Sequence, residues 1–107
     1  MKGDYPGEFE EIVLLAVRRL GDAATGSAVQ ALLEREAGRR AALGAIYAVL
    51  DRAERKGWTE SWLGEALPEP GGRRRRHYGL TRSGESTVEE SRRVRNALWQ
   101  RSPRPAR

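Results

Sequence analysis

Gly71-Gly72-Arg73-Arg74-Arg75-Arg76-His77-Tyr78-Gly79-Leu80-Thr81-Arg82-Ser83-Gly84 changes its period halfway along, and that change decides the fold. Arg73 to Leu80 alternates: Tyr78 and Leu80 share one face of an extended chain, and Arg73, Arg75 and His77 share the other. Thr81 then opens a helix running to about Gln100, with Ser83 as a competing hydroxyl cap. Just upstream, Trp58-Thr59-Glu60-Ser61-Trp62-Leu63 is aromatic and β-branched and reads as a first strand. Trp58 and Trp62 share one of its faces and are expected to pack the hairpin on the helices. Gly64 to Gly72, with Pro68, Pro70, Gly71 and Gly72, is a long turn. The two strands therefore form a hairpin with a basic tip and a basic second strand.

Everything before Gly57 reads as helix. Phe9, Ile12, Val13, Ala16, Val17 and Leu20 recur at three- and four-residue spacing, which predicts a helix over Gly7 to Leu20, and Leu14 and Leu15 widen its apolar stripe. Glu8, Glu10 and Glu11 occupy its first turn, where the helix dipole favours negative charge. A second helix spans about Ser27 to Glu36, capped by Thr25 or Ser27, with Val29, Leu32 and Leu33 inward and Gly38 as its stop. The third spans roughly Ala42 to Lys56, its inward line Leu43, Ile46, Leu50 and Ala53. Three short helices followed by a basic hairpin make a winged helix-turn-helix, of α+β class but mainly α. Residues 1–80 form this unit, 81–101 a further helix, and 102–107, with Pro103 and Pro105, a disordered tail.

Composition narrows the function. The 107 residues suffice for one domain, 33% of them are charged, and the net charge is +5. The charge is uneven. From residue 73 onward, eleven arginines face only Glu85, Glu89 and Glu90, whereas the first 72 residues carry a balance of −3. Such asymmetry points to a polyanion met by the C-terminal third. The absence of cysteine excludes disulfides, thiolate catalysis and Cys-based zinc sites, and one histidine excludes a His-rich metal site. Glu10 with Glu11, and Glu89 with Glu90, are adjacent and point in different directions on a helix, so neither is an acid–base pair. The turn glycines fit no phosphate cradle. We expect no enzyme, cofactor or metal. No apolar run approaches the roughly eighteen residues of a membrane span, and Met1 to Gly7 has no signal-peptide pattern. The expectation is a cytoplasmic, nucleoid-associated protein.

A winged helix bound to double-stranded DNA would place the third helix in the major groove and the wing on backbone or minor groove. Gly44, Ala45, Tyr47, Ala48, Asp51 and Arg52 turn away from the inward line. Small residues allow deep seating but can hardly bond base edges, so Tyr47, Arg52 and the preceding Arg39 and Arg40 carry the polar contacts. Arg73, Arg74, Arg75 and Arg76 would meet phosphate. A charged strand also discourages edge pairing, but four like charges beside a Gly-Gly tip exceed that purpose.

Three stretches together carry a family likeness. Gly7-Glu8-Phe9-Glu10-Glu11-Ile12-Val13-Leu14-Leu15-Ala16, then Gly44-Ala45-Ile46-Tyr47-Ala48-Val49-Leu50-Asp51-Arg52-Ala53-Glu54-Arg55-Lys56-Gly57, then the wing run Gly71 to Gly84, resemble the PadR family of bacterial transcriptional regulators. The resemblance covers roughly residues 5 to 100 and implies a homodimeric repressor of the short-tailed subgroup. Dimerisation would use the C-terminal helix with Phe9 of the first, through Val88, Ser91, Val94, Leu98 and Trp99. Two-fold symmetry then implies a near-palindromic operator. The chain departs from the family pattern at Trp58 and Thr59, where aliphatic residues are usual, and at Ala53, where a larger aliphatic residue is common. Trp99 has two readings: buried area in the dimer seam, the commoner use of an aromatic residue, or a stacking surface for an aromatic small-molecule effector, as in drug-sensing members of that family. The other functional readings are a winged-helix protein-interaction module and a non-specific architectural DNA binder.

Overall fold

The structure, a computed structural model, describes residues 5–66, 68 and 70–99; the expected tail at 102–107 lies outside them. Helices α1 (Glu8–Leu20), α2 (Gly26–Ala37) and α3 (Leu43–Arg55) lead into strands β1 (Thr59–Ala66) and β2 (Arg74–Leu80), and α4 (Arg82–Trp99) follows. The strands pair antiparallel, with Ser61 opposite Tyr78 and Trp62 opposite His77. The helix–helix–helix–wing order is thus as expected, with the elements shifted at their ends.

Each boundary has a local cause. Glu10 reaches back to accept the Gly7 N–H at 3.0 Å, which starts α1. Of the two hydroxyls available to α2, Thr25 is the cap, accepting from the Ala28 N–H. At α4 the cap is Thr81, accepting from the Gly84 N–H at 3.0 Å. The turn is shorter than the sequence suggests, because β1 continues through Gly64 and Glu65 to Ala66 by way of a bulge after Leu63. Beyond β2 lies a further short pairing: Tyr78 donates to the Ala24 carbonyl at 2.8 Å, and Thr25 bridges to His77. The wing is therefore fastened to the entry of α2.

The main core gathers Val13, Val17, Val29, Leu33, Ile46, Leu50 and Tyr78, drawing on all three leading helices and β2. Leu14, Ala53, Trp58 and Val88 form a second cluster under the root of α4. Here the large Trp58 and the small Ala53 are buried in one cluster. The same cluster corrects one expectation: Val88 is 3% exposed inside the chain and leaves the surface available to a second copy. Trp58 packs inward, whereas Trp62 is only partly covered, bordering a concavity with Val17, Arg18 and Gly21, its ring stacked on His77 with centroids 6.0 Å apart. Leu43 is also out of the core, at the first turn of α3, and Val49 takes the inward place.

Helix α4 starts against backbone. Thr81 donates its N–H to the Trp58 carbonyl and its hydroxyl to the Gly57 carbonyl, and a Cβ on Gly84 would sit 2.0 Å from the Trp58 oxygen. Only glycine permits that approach. From there α4 runs back antiparallel along α1, pinned by Arg18 to Glu85 at 3.0 Å and by Arg95 to Glu11 at 2.7 Å.

Candidate nucleic-acid interface

Helix α3 presents three faces, because successive residues turn by about 100°. Ile46, Val49, Leu50 and Ala53 define the buried one. The line opposite is Gly44, Ala48, Asp51 and Arg55, all exposed. Arg55 thus belongs to the outermost surface of α3, a position the sequence reading overlooked although its spacing from Ile46 contains it. The two flanks differ. Tyr47 leans toward α2 and the wing; its ring and hydroxyl lie so near Gly26 that an added Cβ would come within 2.5–2.7 Å of them. Arg52 and Lys56 lean the other way, toward α1, both ending near the Glu10 Oε2 at 3.6 and 3.5 Å.

A groove of about 380 Å³ opens between the Tyr47 flank and the wing. Thr25, Ser27, Leu43 and Tyr47 line one side, and Arg73 to Arg76 the other. The displaced Leu43 finds its place here, at the mouth of the groove. Two of the four arginines have internal partners. Arg74 donates to the Gly64 carbonyl at 2.7 Å and Arg76 to the Ser61 hydroxyl at 3.0 Å, which itself donates to Glu54. Arg73 and Arg75 make no side-chain hydrogen bond or ion pair among the described residues. His77 is structural: its Nδ1 bonds the Asp22 carbonyl at 2.8 Å and holds the wing base against the turn before α2.

The other arginines expected at DNA lie outside this groove. Arg39 donates to Glu8 at 2.7 Å with its guanidinium 5.9 Å from the Phe9 ring centre. Arg40 is 3.6 Å from Glu34. The hydrogen bond from Arg39 holds the Glu8 carboxyl below the usual range. Burial pushes the Glu10 carboxyl up, but the Gly7 N–H, Lys56 and Arg52 outweigh it, and the net shift is downward.

Where the outer half of α4 meets the residues leading into α1, Tyr5, Pro6, Ser91, Val94, Arg95 and Leu98 border a concavity of about 390 Å³. Leu98 and Trp99 are 78% and 82% exposed, and Leu15 and Val94 are also open. Phe9 is half-buried against the main core. Of the residues expected at a seam, Ser91, Val94 and Leu98 border this concavity, and Trp99 follows at the end of α4. Among the described residues no cluster of His, Asp and Glu could hold a metal ion, and no helix is long and apolar enough to cross a membrane.

No protein-family model and no curated protein matches the sequence. Solved structures do. The chain is similar to a PadR-like transcription factor from Bacteroides fragilis, with a TM-score of 0.70, 23% identity and coverage of 84% of this chain and 82% of that one. A PadR-family transcription regulator from Clostridium difficile gives a TM-score of 0.67 at 24% identity, over 84% of this chain and 90% of its own. Bacillus subtilis PadR, solved in complex with operator DNA, gives 0.64 at 19% identity, over 92% of this chain and 51% of that longer one. The fold is that of the PadR-type transcriptional regulators.

Proposed function

We propose that this chain is a DNA-binding transcriptional regulator of the PadR family, acting as a homodimer that represses by occluding a near-palindromic promoter operator. The observation that carries the reading is the groove between α3 and the wing, with Arg73 and Arg75 free to meet phosphate beside a helix face of small residues. A helix shaped by Gly44, Ala45 and Ala48 can lie deep in a major groove, with Tyr47 supplying a hydroxyl at its flank. Such a face reads few base edges directly, so discrimination rests in part on DNA shape. The operator complex of the Bacillus subtilis neighbour supports DNA as the partner. For dimerisation, the support is the exposure of Val94, Leu98 and Trp99 toward the outer end of α4, beyond Val88, where the helix is packed within the chain. A planar aromatic effector on Trp99 would act at that seam, where a small shift alters the spacing of two reading units. Work on promoter DNA places the protein in the cytoplasm, on the nucleoid.

Selection from a random duplex library at near-physiological salt tests the whole reading. A two-fold symmetric motif in the bound pool is the expected result. Bound DNA without a motif would make the protein an architectural binder, and no bound DNA would make the winged helix a protein-interaction module.

A further inference from the structure

Three acidic side chains of the α1 first turn each take basic groups from a different element. Glu8 holds Arg39 from the α2–α3 connection, Glu10 holds Arg52 and Lys56 from α3 and its end, and Glu11 holds Arg95 from α4. Glu10 has no free oxygen left: Oε1 accepts from the Gly7 N–H while Oε2 lies by both cations. Lys56 is also committed on its other side, 4.6 Å above the Trp58 ring. The patch on the α1 flank of α3 thus holds three cations and two carboxylates, a net charge of +1. Across the helix, Arg73 and Arg75 carry their full charge into the groove.

We propose that Glu8 and Glu10 act as internal stand-ins for DNA phosphate. They hold Arg39, Arg52 and Lys56 to the protein and confine the phosphate grip to the wing side of α3. The proposal rests on the DNA-binding reading and sharpens it, since it removes Arg39 and Arg52 from the contact set. Its physical basis is double. A guanidinium at 2.7 Å from a carboxylate brings no net charge to a phosphate, and the carboxylate beside it would face the duplex with repulsive charge. The consequence is selectivity: a one-sided grip fixes the orientation of α3 in the groove, whereas cations on both flanks would favour any duplex, as non-specific binding depends on phosphate neutralisation alone.

The test is the salt dependence of binding to the selected operator and to an unrelated duplex, with thermal melting to confirm that each variant is folded. Glutamine keeps the acceptor that the Gly7 N–H needs, so the Glu8→Gln, Glu10→Gln double variant retains the start of α1. We expect its log–log salt slope to steepen by about 1.8, since Arg39 and Arg52 can each neutralise a phosphate while Lys56 stays over the Trp58 ring, and its binding to the unrelated duplex to tighten about tenfold or more. The charge-balanced variants Glu8→Gln with Arg39→Gln, and Glu10→Gln with Arg52→Gln, should leave the slope unchanged and operator affinity within about twofold. A slope shallower by about 0.9 in either balanced variant would mean that its arginine grips phosphate, and the proposal fails while DNA binding stands. An unchanged slope in the double glutamate variant also overturns it. Absence of binding by the unaltered protein would remove the DNA-binding reading itself, and this proposal with it.

Discussion

Arg18 and Arg95 lie 3.0 and 2.7 Å from glutamates across the α1–α4 face, while Arg73 and Arg75, on the wing, meet no carboxylate among the described residues. All four belong to an arginine-rich chain, and composition treats them alike. Position separates them. Arginines facing α1 meet helix first turns, where dipoles collect acids, and become fasteners. The wing is two strands and a Gly-Pro turn; its acids Glu60 and Glu65 make no ion pair with Arg73 to Arg76 among the described residues, and Glu54 of α3 reaches Arg76 only through Ser61. A net charge therefore says less about binding than the location of the acids does.

The comparison can be broken most severely at the root of α4. Gly84→Ala forces a methyl group against the Trp58 carbonyl, which is backbone and cannot turn aside. We expect a loss of about 3 kcal/mol, read as a fall in urea midpoint, because overpacking against a fixed atom has no relaxed solution. Arg95→Ala attacks the fastening itself. Glu11, 7% exposed, would keep a desolvated carboxylate without its bidentate partner, at a cost of about 2 kcal/mol in stability. Operator affinity per folded molecule should change much less than stability. If instead DNA binding fell at unchanged stability, the division into fasteners and grips would be wrong. On the wing the pattern should invert. Arg73→Gln with Arg75→Gln should leave melting unaltered, flatten the salt slope by about 1.8, and weaken operator binding by about tenfold. The smallest effect concerns neither group. Thr59 has a buried hydroxyl without a hydrogen-bond partner among the described residues, so Thr59→Val should stabilise by about 1 kcal/mol and leave DNA binding untouched.

Much of this architecture could be read directly from the residues, for physical reasons. The apolar repeats of α1 and α3 and the alternation of Arg73 to Leu80 are local, and Thr81 beside Gly84 marks the start of α4 by chemistry that needs no partner. What escaped the sequence depends on tertiary approach. Val88 sits on a thin stripe that a second copy or the chain itself could cover, and only the position of Trp58 decides between them. Leu43 obeys the helical spacing of the core line, yet it lies a turn beyond where the core ends. The bulge after Leu63 lengthens β1 through a glycine that reads as turn. Arg39 and Arg52 look like DNA contacts because their acidic partners lie over thirty residues away in sequence, in the first turn of α1. Arg55 was within reach: counted from Ile46, it lies directly opposite the core.

One residue, Thr81, separates the wing from α4, and its backbone and hydroxyl are tied to the two residues that follow α3 into the wing. The eighteen residues of α4 form an arm of about 27 Å, anchored at Gly57 and Trp58. A push of about 3 Å on its outer end is thus a turn of roughly 6° delivered to the foot of the reading helix. On the DNA-binding reading proposed above, a coarse movement of the arm's outer end would arrive at α3 as a fine adjustment of aim.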